Sequence, residues 1–123
     1  MATTSASSPE WRARIEAAGA RVEVLPDDSG RVSLPALLDL LGGSDVVKLL
    51  IEGGGVLLGS FFDQRLVDKL HAVVAPMIIG GDAPSAVAGR GAARMADALR
   101  LRDVTVDRLG EDVLVSGYPQ AGT

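Results

Sequence analysis

The chain has 123 residues, 47% hydrophobic, 23% charged and 3% aromatic, with a formal net charge of −4. That length makes one domain with a single core, and interspersed charges without a basic face speak against a nucleic-acid partner. No apolar run reaches the roughly 18 residues of a membrane span, MATTSASSPEW lacks the pattern of a secretory signal, and the absence of cysteine excludes disulfides and thiolate chemistry and fits a cytoplasmic protein.

In chain order, residues 1–8 are predicted as a flexible start. Ser7 or Ser8 before Pro9 and Glu10 then reads as an N-cap and first turn, with a helix to about Ala18 and Gly19 as its left-handed stop. RVEVL, residues 21–25, alternates like a short strand, and Pro26–Gly30 is a turn cluster. Ser33 caps a second helix, Leu34–Leu41, with one leucine stripe. VVKLLI, residues 46–51, is nearly continuous and apolar, the pattern of a strand covered on both faces in a parallel sheet. A third helix follows over Val56–Leu66. KLHAVVA, residues 69–75, is a strand stopped by Pro76, and Met77–Ile79 continues extended to Gly80-Gly81. Residues 82–98 read as a loop with one weak helical turn. Two late strands, Leu99–Leu109 and Asp112–Tyr118, flank the hairpin signal Gly110-Glu111. Alternating helices and strands followed by late antiparallel strands predict an α/β fold, a mixed sheet flanked by helices. The opening on a helix suggests that a strand, and more, belongs in front.

The segment VKLLIEGGGVLLGS (47–60) carries the chemistry. Glu52 falls at the carboxyl end of the predicted strand, and the helix begins near Gly55 or Val56. Ligands of open α/β sheets bind beyond strand carboxyl ends, where helix N-termini offer free N–H groups suited to phosphate. Glycines at 53, 54 and 55 remove every Cβ that would hold a ligand off the backbone. Gly59 lies on the face of Gly55 and lets the helix pack closely, and Ser60 adds a hydroxyl. Neither a P-loop, whose lysine is missing, nor a strict GxGxxG fits. A plain strand-to-helix turn with a solvated Glu52 explains the pattern about as well. An acid beside such a turn is also placed to accept hydrogen bonds from a sugar or polyol.

LLIEGGGVLLGSFFDQRLVDKLHAVVAPMIIGG resembles the signature stretch of the riboflavin-biosynthesis reductase domain, the pyrimidine reductase half of the bifunctional deaminase/reductase. The shared features are acid-Gly-Gly after an apolar strand, Leu66-Val67-Asp68 leading into a strand, Ala75-Pro76 and an apolar-Gly-Gly turn. The closing Leu109–Leu114 and the opening TTSASSPEWRARIEAAGARVEVLP are similar as well, so the resemblance spans about residues 3–119. It implies a dihydrofolate reductase-like fold, a homodimer, and NADPH-dependent reduction of the ribosyl group of 5-amino-6-(5-phosphoribosylamino)uracil to a ribityl chain. Carried over by position, Glu52 would touch the substrate, while Gly54, Gly55, Val56, Leu57, Leu58, Gly59 and Ser60 would line the cofactor. It also suggests a cis Gly53–Gly54 peptide. Domains of this family run to about twice this length, which implies a single partial domain lacking its N-terminal half, a fragment inactive on its own. Two other readings stand beside this one: a dihydrofolate reductase-like reductase of another substrate, and a non-catalytic dimerisation or nucleotide-phosphate-binding module.

The remaining polar residues favour structural roles. His71, the single histidine, excludes a multi-histidine metal site within one chain, and no metal is expected. It is out of phase with Leu70, Ala72 and Val74 and should face solvent or an edge. Asp68 and Asp82 fit turn chemistry. Trp11 reads as a packing residue. Asp63 and Arg65 read as solvated surface.

Overall fold

A computed structural model describes residues 1–120, which fall into two compact units dividing between Leu50 and Ile51. The first opens with a two-residue strand β1 (Ala2–Thr3), paired in parallel with β2 (Glu23–Val24). Helix α1 (Pro9–Ala17) lies between them. The Ser8 hydroxyl accepts the Trp11 N–H at 3.1 Å and Pro9 fills the first helical position, so the cap is Ser8. At the other end Gly19, at φ 89°, takes the left-handed position that closes the helix. The Pro26–Gly30 cluster becomes a tight hairpin of β3 (Asp27–Asp28) and β4 (Arg31–Val32), with the Asp27 carboxylate accepting the Gly30 N–H at 2.9 Å. Helix α2 (Leu34–Gly42) starts under the Ser33 cap and encloses Leu34.

The second unit holds α3 (Gly55–Asp63) and an antiparallel sheet of β5 (Leu70–Val74), β6 (Leu101–Leu109) and β7 (Asp112–Pro119) in the order β5-β7-β6. The two-residue turn Gly110-Glu111 sets Leu109 opposite Asp112. One extra residue in β6 between Arg102 and Thr105, with Asp103 at φ 50°, forms a bulge. Central β7 is the best covered strand: Ser116 is buried, and the side chains of Leu101 and Val104 lie over Gly117. Lys69 and Arg102 both approach the Tyr118 ring, at 5.3 and 5.2 Å from its centre. In α3, Phe61 is 2% exposed, a burial that contributes about 2–3 kcal/mol.

The helices and the late hairpin match the expected elements within a few residues, and the strand pairs run in both directions. The exception is VVKLLI. Residues 46–51 join none of the described sheets, and Val47 and Leu50 are 91% and 74% exposed. Apolar composition records a preference for burial, but a ladder needs a partner, and no described strand supplies one. Met77–Ile79, expected to continue extended, likewise joins no described strand and is equally bare, with Ile78 98% exposed.

Candidate functional site

The N-terminal end of α3 is built by backbone alone. Gly54 is the N-cap, extended at φ −69° and ψ 164°, and its carbonyl accepts the N–H groups of Leu57 and Leu58 at 3.0 and 3.2 Å. With no side chain to cap the helix, the N–H groups of Gly55 and Val56 have no hydrogen-bond partner among the described residues. A Cβ on Gly54 would meet nothing within 4 Å, so this end is open. Glu52, two residues ahead, is exposed. The Gly53–Gly54 peptide is trans, which corrects the cis expectation; extended backbone at Gly54 already delivers the chain into the helix. Helix polarity places partial positive charge at these unpartnered N–H groups, and Glu52, three residues before Gly55, offers an exposed acceptor.

The rest of the segment divides by face. Val56 and Leu57 are exposed, Leu58 and Ser60 half-buried, and Gly59 buried. The Ser60 hydroxyl donates to the Val56 carbonyl at 2.9 Å, so its proton is engaged within the helix. Gly55 and Gly59 meet the loop 85–89: a Cβ on Gly55 would overlap the Ser85 carbonyl, and one on Gly59 the Ala88 carbonyl. The Ala88 N–H donates to the Gly55 carbonyl at 2.9 Å. Gly59 therefore does allow a close approach, and what approaches is this loop.

Asp63 is the residue that sequence reasoning missed. Its carboxylate accepts the N–H groups of Arg90 and Gly91 at 2.8 and 3.2 Å, with the Arg90 guanidinium 3.9 Å away. The Arg90 N–H above all, helped by Gly91 and the Arg90 charge, holds this carboxyl below the usual aspartate range against partial desolvation. An aspartate closing a helix carries no sign in sequence of a partner so far along the chain. His71 is exposed on edge strand β5, its Nδ1 2.8 Å from the Ser116 hydroxyl of the facing strand.

The profile of the family described as "RibD C-terminal domain" matches residues 1–115. A 2,5-diamino-6-ribosylamino-4(3H)-pyrimidinone 5′-phosphate reductase of Methanothermobacter thermautotrophicus is 43% identical over 96 residues, which cover 77% of this chain and 44% of that protein. The riboflavin biosynthesis protein RibD of Bacillus amyloliquefaciens is 31% identical over 121 residues, 98% of this chain and 32% of the relative. The chain thus spans less than half the length of these relatives. Among solved structures, Acinetobacter baumannii RibD superposes with a TM-score of 0.77 over 89% of this chain and 29% of that one, at 24% identity, a likeness of fold.

Proposed function

Because the chain belongs to the family of RibD C-terminal domains, we propose that it forms the C-terminal part of an NADPH-dependent reductase of riboflavin biosynthesis. The reaction is reduction of the ribosyl group of a phosphoribosylamino-pyrimidine to a ribityl chain. The observation that carries this reading is the open N-terminus of α3, where unpartnered N–H groups of Gly55 and Val56 lie beside exposed Glu52.

NADPH, when bound, supplies the hydride. Of the run Gly54 to Ser60, the exposed end would line the cofactor: the Gly55 and Val56 N–H groups would donate to phosphate oxygens, and Gly54 leaves the approach free of a Cβ, while Gly59 and Ser60 would act only through the packing of the helix. Gly55 and Gly59 hold the helix against loop 85–89, so the donors are fixed before a ligand arrives. Glu52 accepts hydrogen bonds from the sugar hydroxyls and orients the chain to be reduced. The rest of the pocket comes from the part of the relatives' length that this chain does not span, so the isolated chain binds cofactor without turnover. The working form is a cytoplasmic homodimer. Exposed apolar residues at 46–50 and 77–79 favour association.

Calorimetric titration with NADPH tests the reading. Binding to the 123-residue chain that is lost in Gly54→Val supports it, and no binding at millimolar cofactor overturns the half-site. In the longer enzyme, assayed with both the diamino-pyrimidinone and the uracil substrates, Glu52→Gln should abolish most turnover with the fold intact. Unchanged turnover would favour the non-catalytic module.

A further inference from the structure

The second unit contains an open groove of about 1030 Å³ at the far end of α3 from the glycine turn. Its walls come from Phe62, Asp63 and Arg65 of the helix end, from the loop around Arg90, and from the start of β6 at Arg100 and Leu101. Three arginines and two aspartates line it, but both acids are already engaged. Asp63 holds two backbone N–H groups, and Asp97 takes two hydrogen bonds from Arg94, at 2.7 and 2.8 Å. Among the described residues neither Arg65 nor Arg100 has a carboxylate partner, and Arg90 reaches its acid only at 3.9 Å. The lining thus carries three positive and two negative side chains, and with Asp97 paired to Arg94 the excess on this groove of an acidic chain is positive.

A second observation singles out Arg65. All three helices end in the same motif, a left-handed residue whose N–H bonds back three residues while the next N–H bonds back five. Helix α1 places Gly19 there, and α2 places Asp45, a residue type that tolerates the conformation. Helix α3 places Arg65 at φ 57°, with Arg65 N–H on the Phe62 carbonyl and Leu66 N–H on the Phe61 carbonyl. A long side chain in the left-handed region is strained where glycine would be relaxed, and such strain is retained where the side chain has a use.

We propose that this groove is an anion site for a small phosphomonoester, its phosphate held by Arg65, Arg90 and Arg100 and its apolar body lying against Phe62 and Leu101. Guanidinium forks match phosphate oxygens two at a time, and three of them exceed what a carboxylate can occupy. The site is separate from the α3 N-terminus and does not depend on the cofactor reading.

The test is titration of the isotope-labelled 123-residue chain with phenyl phosphate, and with benzoate in parallel, followed through its backbone amide resonances. Phenyl phosphate should perturb Arg65, Gly91, Arg100 and Leu101 saturably, with a Kd below about 10 mM, and benzoate should bind about tenfold more weakly. Arg100→Gln should weaken phenyl phosphate by about tenfold. Arg65→Gly should do the same while raising the melting temperature, because glycine relieves the helix end; a purely structural arginine would leave binding untouched. Shifts confined to Gly54–Val56, shifts unchanged in both variants, or no saturation would overturn the proposal.

Discussion

Gly54 and Gly59 belong to one helix and one glycine-rich segment, yet they serve opposite ends. Gly59 is buried, and a methyl group there would run into the Ala88 carbonyl. Gly54 is exposed, and a methyl group there would touch nothing. One glycine exists for the protein's own packing; the other leaves space that the protein itself does not use. Steric glycines and ligand-facing glycines look alike in sequence, because both are known only by what they lack.

The largest effect that can break this comparison belongs to Gly59→Ala. Alanine gains roughly 1 kcal/mol in helix propensity, but it must displace a backbone carbonyl rather than a pliable side chain. We expect a net loss of about 2–3 kcal/mol in urea unfolding, with faster amide exchange in loop 85–91. A stabilised variant would mean that the loop does not pack on the helix, and the two glycines would then be alike.

A smaller effect, confined to the loop, should follow Asp63→Asn. An amide offers one acceptor oxygen where the carboxylate offers two to Arg90 and Gly91. We expect faster limited proteolysis near Arg90, with helix α3 intact. The pH dependence has a definite sign. The carboxyl is held below its ordinary value in the folded state, so its contribution is complete above the ordinary aspartate range and disappears as pH falls through the lowered value. The protection factor of the Gly91 amide, its exchange rate taken relative to the intrinsic rate at each pH, should therefore fall on acidification in the parent protein and stay flat in the variant. Equal profiles would remove Asp63 as the anchor.

Local rules made much of the fold legible. Ser8-Pro9, Gly19, Ser33 and Gly110-Glu111 act on their immediate neighbours, and the structure places each where capping and turn chemistry put it. Non-local partnerships were not legible. VVKLLI announces burial and says nothing of a ladder partner, so it reads as a strand and lies unpaired among the described residues. Residues 82–98 have no periodicity, and nothing in them foretells that Ser85 and Ala88 lie on Gly55 and Gly59. At the candidate site, the sequence marks Glu52 and the glycine run but cannot divide the run into a packed face and an open end.

The smallest change is also the most discriminating, because it sets stability against binding at the open end. Gly54 already has the extended backbone of an N-cap residue, so Gly54→Ser fits without strain, and its hydroxyl can accept a first-turn N–H. Serine at an N-cap is worth a few tenths of a kcal/mol over glycine, roughly 0.3 kcal/mol of added stability. The N–H it engages belongs to the same turn that the proposed cofactor phosphate needs, and its Cβ enters the approach. We therefore expect slightly higher thermal stability together with weaker NADPH binding, read by calorimetry on the same preparation. If stability rises and NADPH binds as before, the cofactor does not use this helix end. If both fall, the backbone at Gly54 needs glycine for its own sake, and the division between a packed glycine and an open one loses its second half.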